Sequence, residues 1–113
     1  MESKAILRYC KTTPRKARAV ADAVKGRMVG DALSVLQFGI GKAVAVDVSK
    51  TIKSAVANMQ SRHEDAAIDI DSLRIKEIRV DEGPVLRRFR ARAQGRVGPR
   101  LKRMCHITVA VSD

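Results

Sequence analysis

The chain has 113 residues, a length suited to one compact domain. Lys plus Arg number 23 against 12 Asp plus Glu, giving a net charge of +11 beside 45% apolar residues; that apolar share excludes a plain disordered polycation, and the charge predicts an anionic partner. Three aromatics (Tyr9, Phe38, Phe89) argue against readers that stack successive bases, and the ten-residue uncharged run from Ala32 to Gly41 is too short to span a bilayer.

No secretory signal is expected, since Glu2, Lys4, Arg8 and Lys11 interrupt the first residues. Cys10 and Cys105 are therefore expected to stay reduced, in the cytosol. Residues 3–11 mix Ile6, Leu7 and Tyr9 with charges and predict a short strand. Thr12-Thr13-Pro14 then reads as a helix start, with a threonine capping free amides and proline at the first helical position. Ala17, Val20, Ala21 and Val24 follow at helical spacing, and Gly26 suits the end. Steps of 100° put Arg15, Arg18, Asp22 and Lys25 opposite that stripe.

A short helix is expected from Gly30 to Phe38, burying Val29, Leu33, Leu36 and Phe38. Gly39 and Gly41 separate it from a longer helix over about Lys42 to Arg62. There Ala45, Val48, Ile52, Ala55, Val56 and Met59 recur at steps of three and four, with Lys42, Lys50 and Lys53 outside. The pairs Ile68/Ile70, Leu73/Ile75 and Ile78/Val80 each alternate as strands do. The phase slips twice, which predicts a turn near Asp71-Ser72 and a β-bulge after Ile75. Cys105, Ile107, Val109 and Val111 form a clean closing strand.

The charge is uneven along this path. Residues 1–27 carry net +6, residues 28–82 net −2, and residues 83–112 hold eight basic side chains and no acidic one. Those eight are Arg87, Arg88, Arg90, Arg92, Arg96, Arg100, Lys102 and Arg103, all inside the twenty residues from Pro84 to Arg103. A structureless loop of that length is uncommon in a compact domain, and so many cations cannot be buried in a small core. If the flanking strands pair antiparallel, the segment is a hairpin reaching on the order of 30 Å. Thirty residues are too few for a second domain, so residues 1–113 read as one, with 84–103 as a protruding arm. Arginine forks onto phosphate and stacks on bases, which suits a nucleic-acid partner.

Catalytic and ligand motifs fail on inspection. Gly39-Ile40-Gly41-Lys42 suggests a phosphate loop, but the full motif needs glycine at Leu36 and a hydroxyl at Ala43, and the dinucleotide fingerprint fails at Val44. Cys105-His106 with Cys10 and His63 lacks zinc-ligand spacing, and neighbours on a strand face opposite ways. The same alternation separates Asp81 from Glu82, leaving a turn or ion-pair role, and His63 has no evident nucleophile. No metal, cofactor or catalytic constellation is expected. A membrane-surface helix is disfavoured by Gly95, Gly98 and Pro99.

Five segments then resemble, in order, the bacterial family of large-subunit ribosomal protein twenty-two. They are Thr13-Pro14-Arg15-Lys16-Ala17-Arg18, Ser54-Ala55-Val56-Ala57-Asn58, Val80-Asp81-Glu82-Gly83-Pro84, Arg90-Ala91-Arg92-Ala93-Gln94-Gly95-Arg96 and His106-Ile107-Thr108-Val109. The resemblance spans nearly the whole chain. It implies an α/β (α+β) fold of three helices on a small three-stranded antiparallel sheet, with a long protruding β-hairpin. It implies a cytoplasmic, non-enzymatic constituent of the large ribosomal subunit that binds ribosomal RNA and supports assembly. The hairpin would line the nascent-peptide exit tunnel near the macrolide site, beside large-subunit ribosomal protein four, within reach of nascent peptide and macrolides. Ala91 stands where many members carry proline, and Met104-Cys105 where threonine-serine is usual.

By motif, Arg15, Lys16 and Arg18 would contact RNA from the first helix, with Asn58 and His106 as polar contacts. Arg8, Lys11, Lys25, Arg87, Arg88, Arg90, Arg92, Arg96, Arg100, Lys102 and Arg103 complete the candidate RNA contacts. Arg88, Phe89, Arg90, Ala91, Arg92, Ala93 and Gln94 would form the tunnel-lining tip. Neither a membrane nor a homo-oligomer is expected. The rivals are a free-standing basic nucleic-acid-binding protein and a small RNA-acting enzyme.

Overall fold

The computed structural model describes residues 2–39, 43–62, 69–91 and 93–113. Strands β1 (Glu2–Cys10), β2 (Arg74–Ala91) and β3 (Val97–Ser112) form an antiparallel sheet in the order β1-β3-β2. Helices α1 (Pro14–Val24), α2 (Val29–Ser34) and α3 (Val44–Arg62) supply the second layer. The closing strand is thus central, which explains its apolar run: Cys105, Ile107, Val109 and Val111 are fully buried against the helices. The α+β arrangement expected from the resemblance is present.

The α1 stripe of Ala17, Val20, Ala21 and Val24 is buried as its spacing predicts, and Pro14 opens the helix. Thr13 occupies the cap position without a side-chain bond; only its carbonyl takes part, accepting the Ala17 amide at 3.2 Å. Lys25 donates its amide to Ala21 O, and Gly26 follows at φ 77°, a left-handed exit that glycine adopts without a Cβ clash. The chain then runs along the β2 edge, where Val29 N–H donates to Leu73 O and Ile75 N–H to Arg27 O. This covers unpaired strand groups at the start of β2.

The second helix is shorter than its pattern suggests, giving way to a π-helical turn over Val35–Gly39. Val29 and Leu36 are buried and Leu33 half-buried, but Phe38 is 82% exposed. The wider turn carries its ring off the buried stripe. α3 buries Val44, Ala45, Val48, Ile52, Ala55, Val56 and Met59, with Lys50 and Lys53 outside. Lys42 and the glycine-lysine loop at 40–42 lie outside the described residues, as do His63 and Ile68. Ile70 is not in a strand. Ile70–Ser72 is a 3₁₀ turn in which Asp69 Oδ1 accepts the Asp71 amide at 3.0 Å and Ser72 Oγ donates to Asp69 O at 2.7 Å. Local side-chain bonding of this kind overrides a two-residue apolar alternation.

The register slips where the phase predicts, between Ile75 and Glu77, and again between Glu82 and Val85. At the second slip Gly83 lies so close to β3 that a Cβ there would sit 3.1 Å from the Met104 carbonyl carbon and oxygen. From Val85 paired with Arg103 to Ala91 paired with Val97 the register is unbroken, so β2 and β3 leave the sheet as a two-stranded arm. The turn is at Ala93–Gly95, with Gln94 at φ 63° and Gly95 at φ 73°. The arm makes the described molecule 64 Å long against 26 and 15 Å across.

Candidate nucleic-acid interface

Helical geometry places Arg15, Lys16 and Arg18 on the exposed side of α1, and Lys25, the residue that caps its end, is exposed as well. The first turn holds no acidic residue. A helix start carries free amides and a partial positive charge that normally favours carboxylates, so Arg15 and Lys16 make this end doubly demanding of an anion.

The arm brings the second basic group to the same place. An open groove of about 500 Å³ is lined by Lys11, Thr12, Thr13 and Lys16 on one side and by Leu86, Arg88, Arg100, Leu101, Lys102, Arg103 and Met104 on the other. A second groove of about 310 Å³ shares Thr13 and Arg103 with it and adds Pro14, Arg15, Arg18 and Glu82. Basic groups separated by some seventy to ninety positions thus converge on one cleft at the arm's root. Arg18 Nη2 also donates to Val80 O at 3.4 Å, fastening α1 to β2. Among the described residues the ion pairs are Glu2–Lys76 at 2.7 Å and Arg79–Asp81 at 3.1 Å. Neither neutralises the cleft, and Glu82 pairs with none of its arginines within 4 Å. Asp81 thereby takes the ion-pair role expected of it.

Cross-strand partners share a face, so the arm has two. Arg88 opposite Arg100, Leu86 opposite Lys102 and Arg90 opposite Gly98 make the basic face. Val85 opposite Arg103, Arg87 opposite Leu101, Phe89 opposite Pro99 and Ala91 opposite Val97 make a mostly apolar one. Arg88, Phe89, Arg90 and Ala91 belong to strand β2 rather than to the turn, which holds Ala93 and Gln94. Arg87, Arg90 and Arg96 are exposed along the arm, and Arg92 lies outside the described residues. Arg8 and Lys25 are exposed but do not line the cleft.

Asn58 and His106 have internal partners. Asn58 Nδ2 donates to Lys4 O at 3.0 Å, tying α3 to the edge strand β1. His106 Nδ1 accepts the Tyr9 amide at 3.0 Å, which leaves its proton on Nε2. Tyr9 stands at φ 58° in a bulge between Leu7 and Cys10, and its ring packs edge-on against the imidazole at 5.1 Å. The bulge returns Cys10 to the core face, where it pairs in register with Cys105. The phase slip from Ser3, Ala5 and Leu7 to Cys10 is its sequence signal.

Both thiols are free and buried. Burial, then the Asp47 carboxylate, pushes the Cys10 thiol up to about 12. Its Sγ donates to Asp47 Oδ2 at 3.6 Å. Burial likewise raises Cys105. Such thiols are poor nucleophiles and poor metal ligands. Among the described residues no group of three or more His, Cys, Asp or Glu side chains is placed to hold a metal. No described helix is long and apolar enough to cross a membrane. The cleft offers charge and hydrogen-bond donors, the equipment for holding a polyanion.

The sequence matches the family described as ribosomal protein L22p/L17e over residues 5–112. A relative named large ribosomal subunit protein uL22 from Desulfatibacillum aliphaticivorans is 50% identical over 113 residues, covering all of both chains. Another of that name from Desulfitobacterium hafniense strain Y51 is 47% identical over 112 residues, covering 99% of this chain and 95% of its own.

Proposed function

The chain belongs to the ribosomal protein L22p/L17e family, and from that premise we propose that it holds large-subunit ribosomal RNA in the cleft between α1 and the root of the arm. It is a structural constituent of the large ribosomal subunit and not an enzyme, and its place is the cytoplasmic ribosome. Lys11, Arg15, Lys16, Arg18, Arg88, Arg100, Lys102 and Arg103 bind RNA phosphates there and release counterions, so affinity falls steeply with salt. Arg8, Lys25, Arg87, Arg90, Arg92 and Arg96 extend the contact surface, and Asn58 and His106 are polar contacts outside the cleft. One domain carries both parts, the body seated on RNA and the 84–103 arm threaded between RNA segments. The arm's outer end lines the nascent-peptide tunnel near the macrolide site, beside ribosomal protein four, and the early grip on RNA supports assembly.

The observation that carries this reading is the convergence of eight cations on one cleft with only Glu82 among them. Holding like charges together destabilises an isolated fold, and a polyanion relieves that repulsion. Competition binding of the full chain to protein-free large-subunit ribosomal RNA against duplex DNA tests it. The RNA should win by at least tenfold at near-physiological salt. Equal affinity for duplex DNA would favour a general nucleic-acid-binding protein.

A further inference from the structure

The cleft takes in the basic face of the arm and, at its root, Leu101 and Arg103 of the other face, but leaves the outer part of that face around Phe89 unexplained. On that other face Phe89 is 76% exposed, Val97 68%, Leu101 47% and Val85 44%. They follow one another along an unbroken register, beside Pro99 and Ala91. Exposed apolar side chains scattered singly need no explanation, but a row on one side of a protruding ribbon does.

The charge around this row limits what can cover it. Arg87 and Arg103 stand on the same face, the opposite face is cationic, and residues 83–112 contain no acidic group. A neutral apolar protein surface would have to bury those guanidinium groups without counter-charges. An unpaired RNA segment brings flat apolar bases and phosphates together, so it satisfies both.

We propose that the arm grips RNA from two sides, its Arg88/Arg100/Lys102 face binding phosphates and its Phe89 face stacking an unpaired base. This rests on the RNA-binding reading above and adds the chemistry of the second face. A single aromatic holds one base rather than a run, in keeping with the chain's low aromatic content. Arg87, two residues before Phe89 on the same face, is placed to take the phosphate beside that base.

The experiment compares Phe89→Ala, Phe89→Tyr and the pair Arg88→Gln/Arg100→Gln in the full chain, on protein-free large-subunit ribosomal RNA across a salt series. Phe89→Ala should weaken binding about 5- to 150-fold, the range of one lost stacking contact, with the salt slope unchanged. Phe89→Tyr should bind nearly as the unsubstituted chain. The arginine pair should flatten the slope by roughly 1 to 2. A photo-reactive phenylalanine analogue at position 89 should cross-link to a nucleotide that dimethyl sulfate marks as unpaired in the free RNA. Unchanged affinity for Phe89→Ala, a flattened slope for it, or cross-linking to base-paired RNA would each overturn the proposal. Failure of the unsubstituted chain to bind RNA would remove the RNA-binding reading itself, and this inference with it.

Discussion

The main-chain amide of Tyr9 donates to Nδ1 of His106 across 3.0 Å, from a tyrosine held at φ 58°. A bulge strips one residue of its ladder partner, and here a side chain on the central strand replaces it. His106→Ala should therefore lower stability by about 1 kcal/mol, a typical net value for one solvent-accessible hydrogen bond. Urea unfolding measures this; an unchanged midpoint would mean that the bulge holds without the imidazole.

Ser3 carries a buried hydroxyl with no hydrogen-bond partner among the described residues. It faces the core beside Ala5. Ser3→Ala should stabilise the fold by roughly 1 kcal/mol, because it removes an unsatisfied polar group at little cost in volume. A loss of stability on the same urea curve would show that the hydroxyl is satisfied in solution.

Among the described residues, none from 85 to 103 contributes a side chain to the hydrophobic core. Leu86 and Lys102 are directly paired, so replacing residues 87–101 by Asn-Gly closes the hairpin with a two-residue turn. The shortened chain should unfold within about 1 kcal/mol of the full one. It should still enter large subunits, while the response of those ribosomes to macrolides changes. Collapse of the fold on this truncation would make the arm part of the domain's core rather than an extension.

Folding keeps the proton on Cys10 up to about pH 12, against an ordinary value of 9.0. The unfolded chain releases that proton from about pH 9 upward, so the folded state binds more protons there. The contribution of Cys10 is intact below pH 9 and falls away as pH rises towards 12. Cys10→Ala should flatten the alkaline decline in urea midpoint. At pH 8 both thiols should react with Ellman's reagent far more slowly in the folded than in the unfolded chain; equal rates would contradict their burial.

The sequence disclosed local order better than convergence. Pro14 and the Ala17–Val24 stripe marked α1, the slip after Ile75 marked a bulge, and the acid-free run after Gly83 marked the arm. Each of these signals lies within a few residues. Phe38 misled because a π-helical turn shifts the phase after Ser34, and Ile70 because Asp69 builds a turn from its own side chain. No local signal joins Lys16 to Arg100. Their meeting depends on β3 lying between β1 and β2, with the arm's basic face turned to α1. The two-faced arm was partly written in the sequence as alternation of Leu86, Arg88 and Arg90 with Val85, Arg87 and Phe89. Its meaning needed the register with residues 97–103.

The central claim is that α1 and the arm root form a single RNA site. The salt dependence of RNA affinity, measured for the full chain and for Arg15→Glu/Arg18→Glu, tests it most directly. About eight phosphate contacts predict a log–log slope of roughly −5 to −7 for the unsubstituted chain. The double variant should flatten that slope by 2 or more while changing stability by no more than about 1.5 kcal/mol, since exposed charges contribute little to folding and one hydrogen bond, from Arg18 to Val80 O, is given up. A slope that stays the same with the α1 arginines reversed would contradict the shared site.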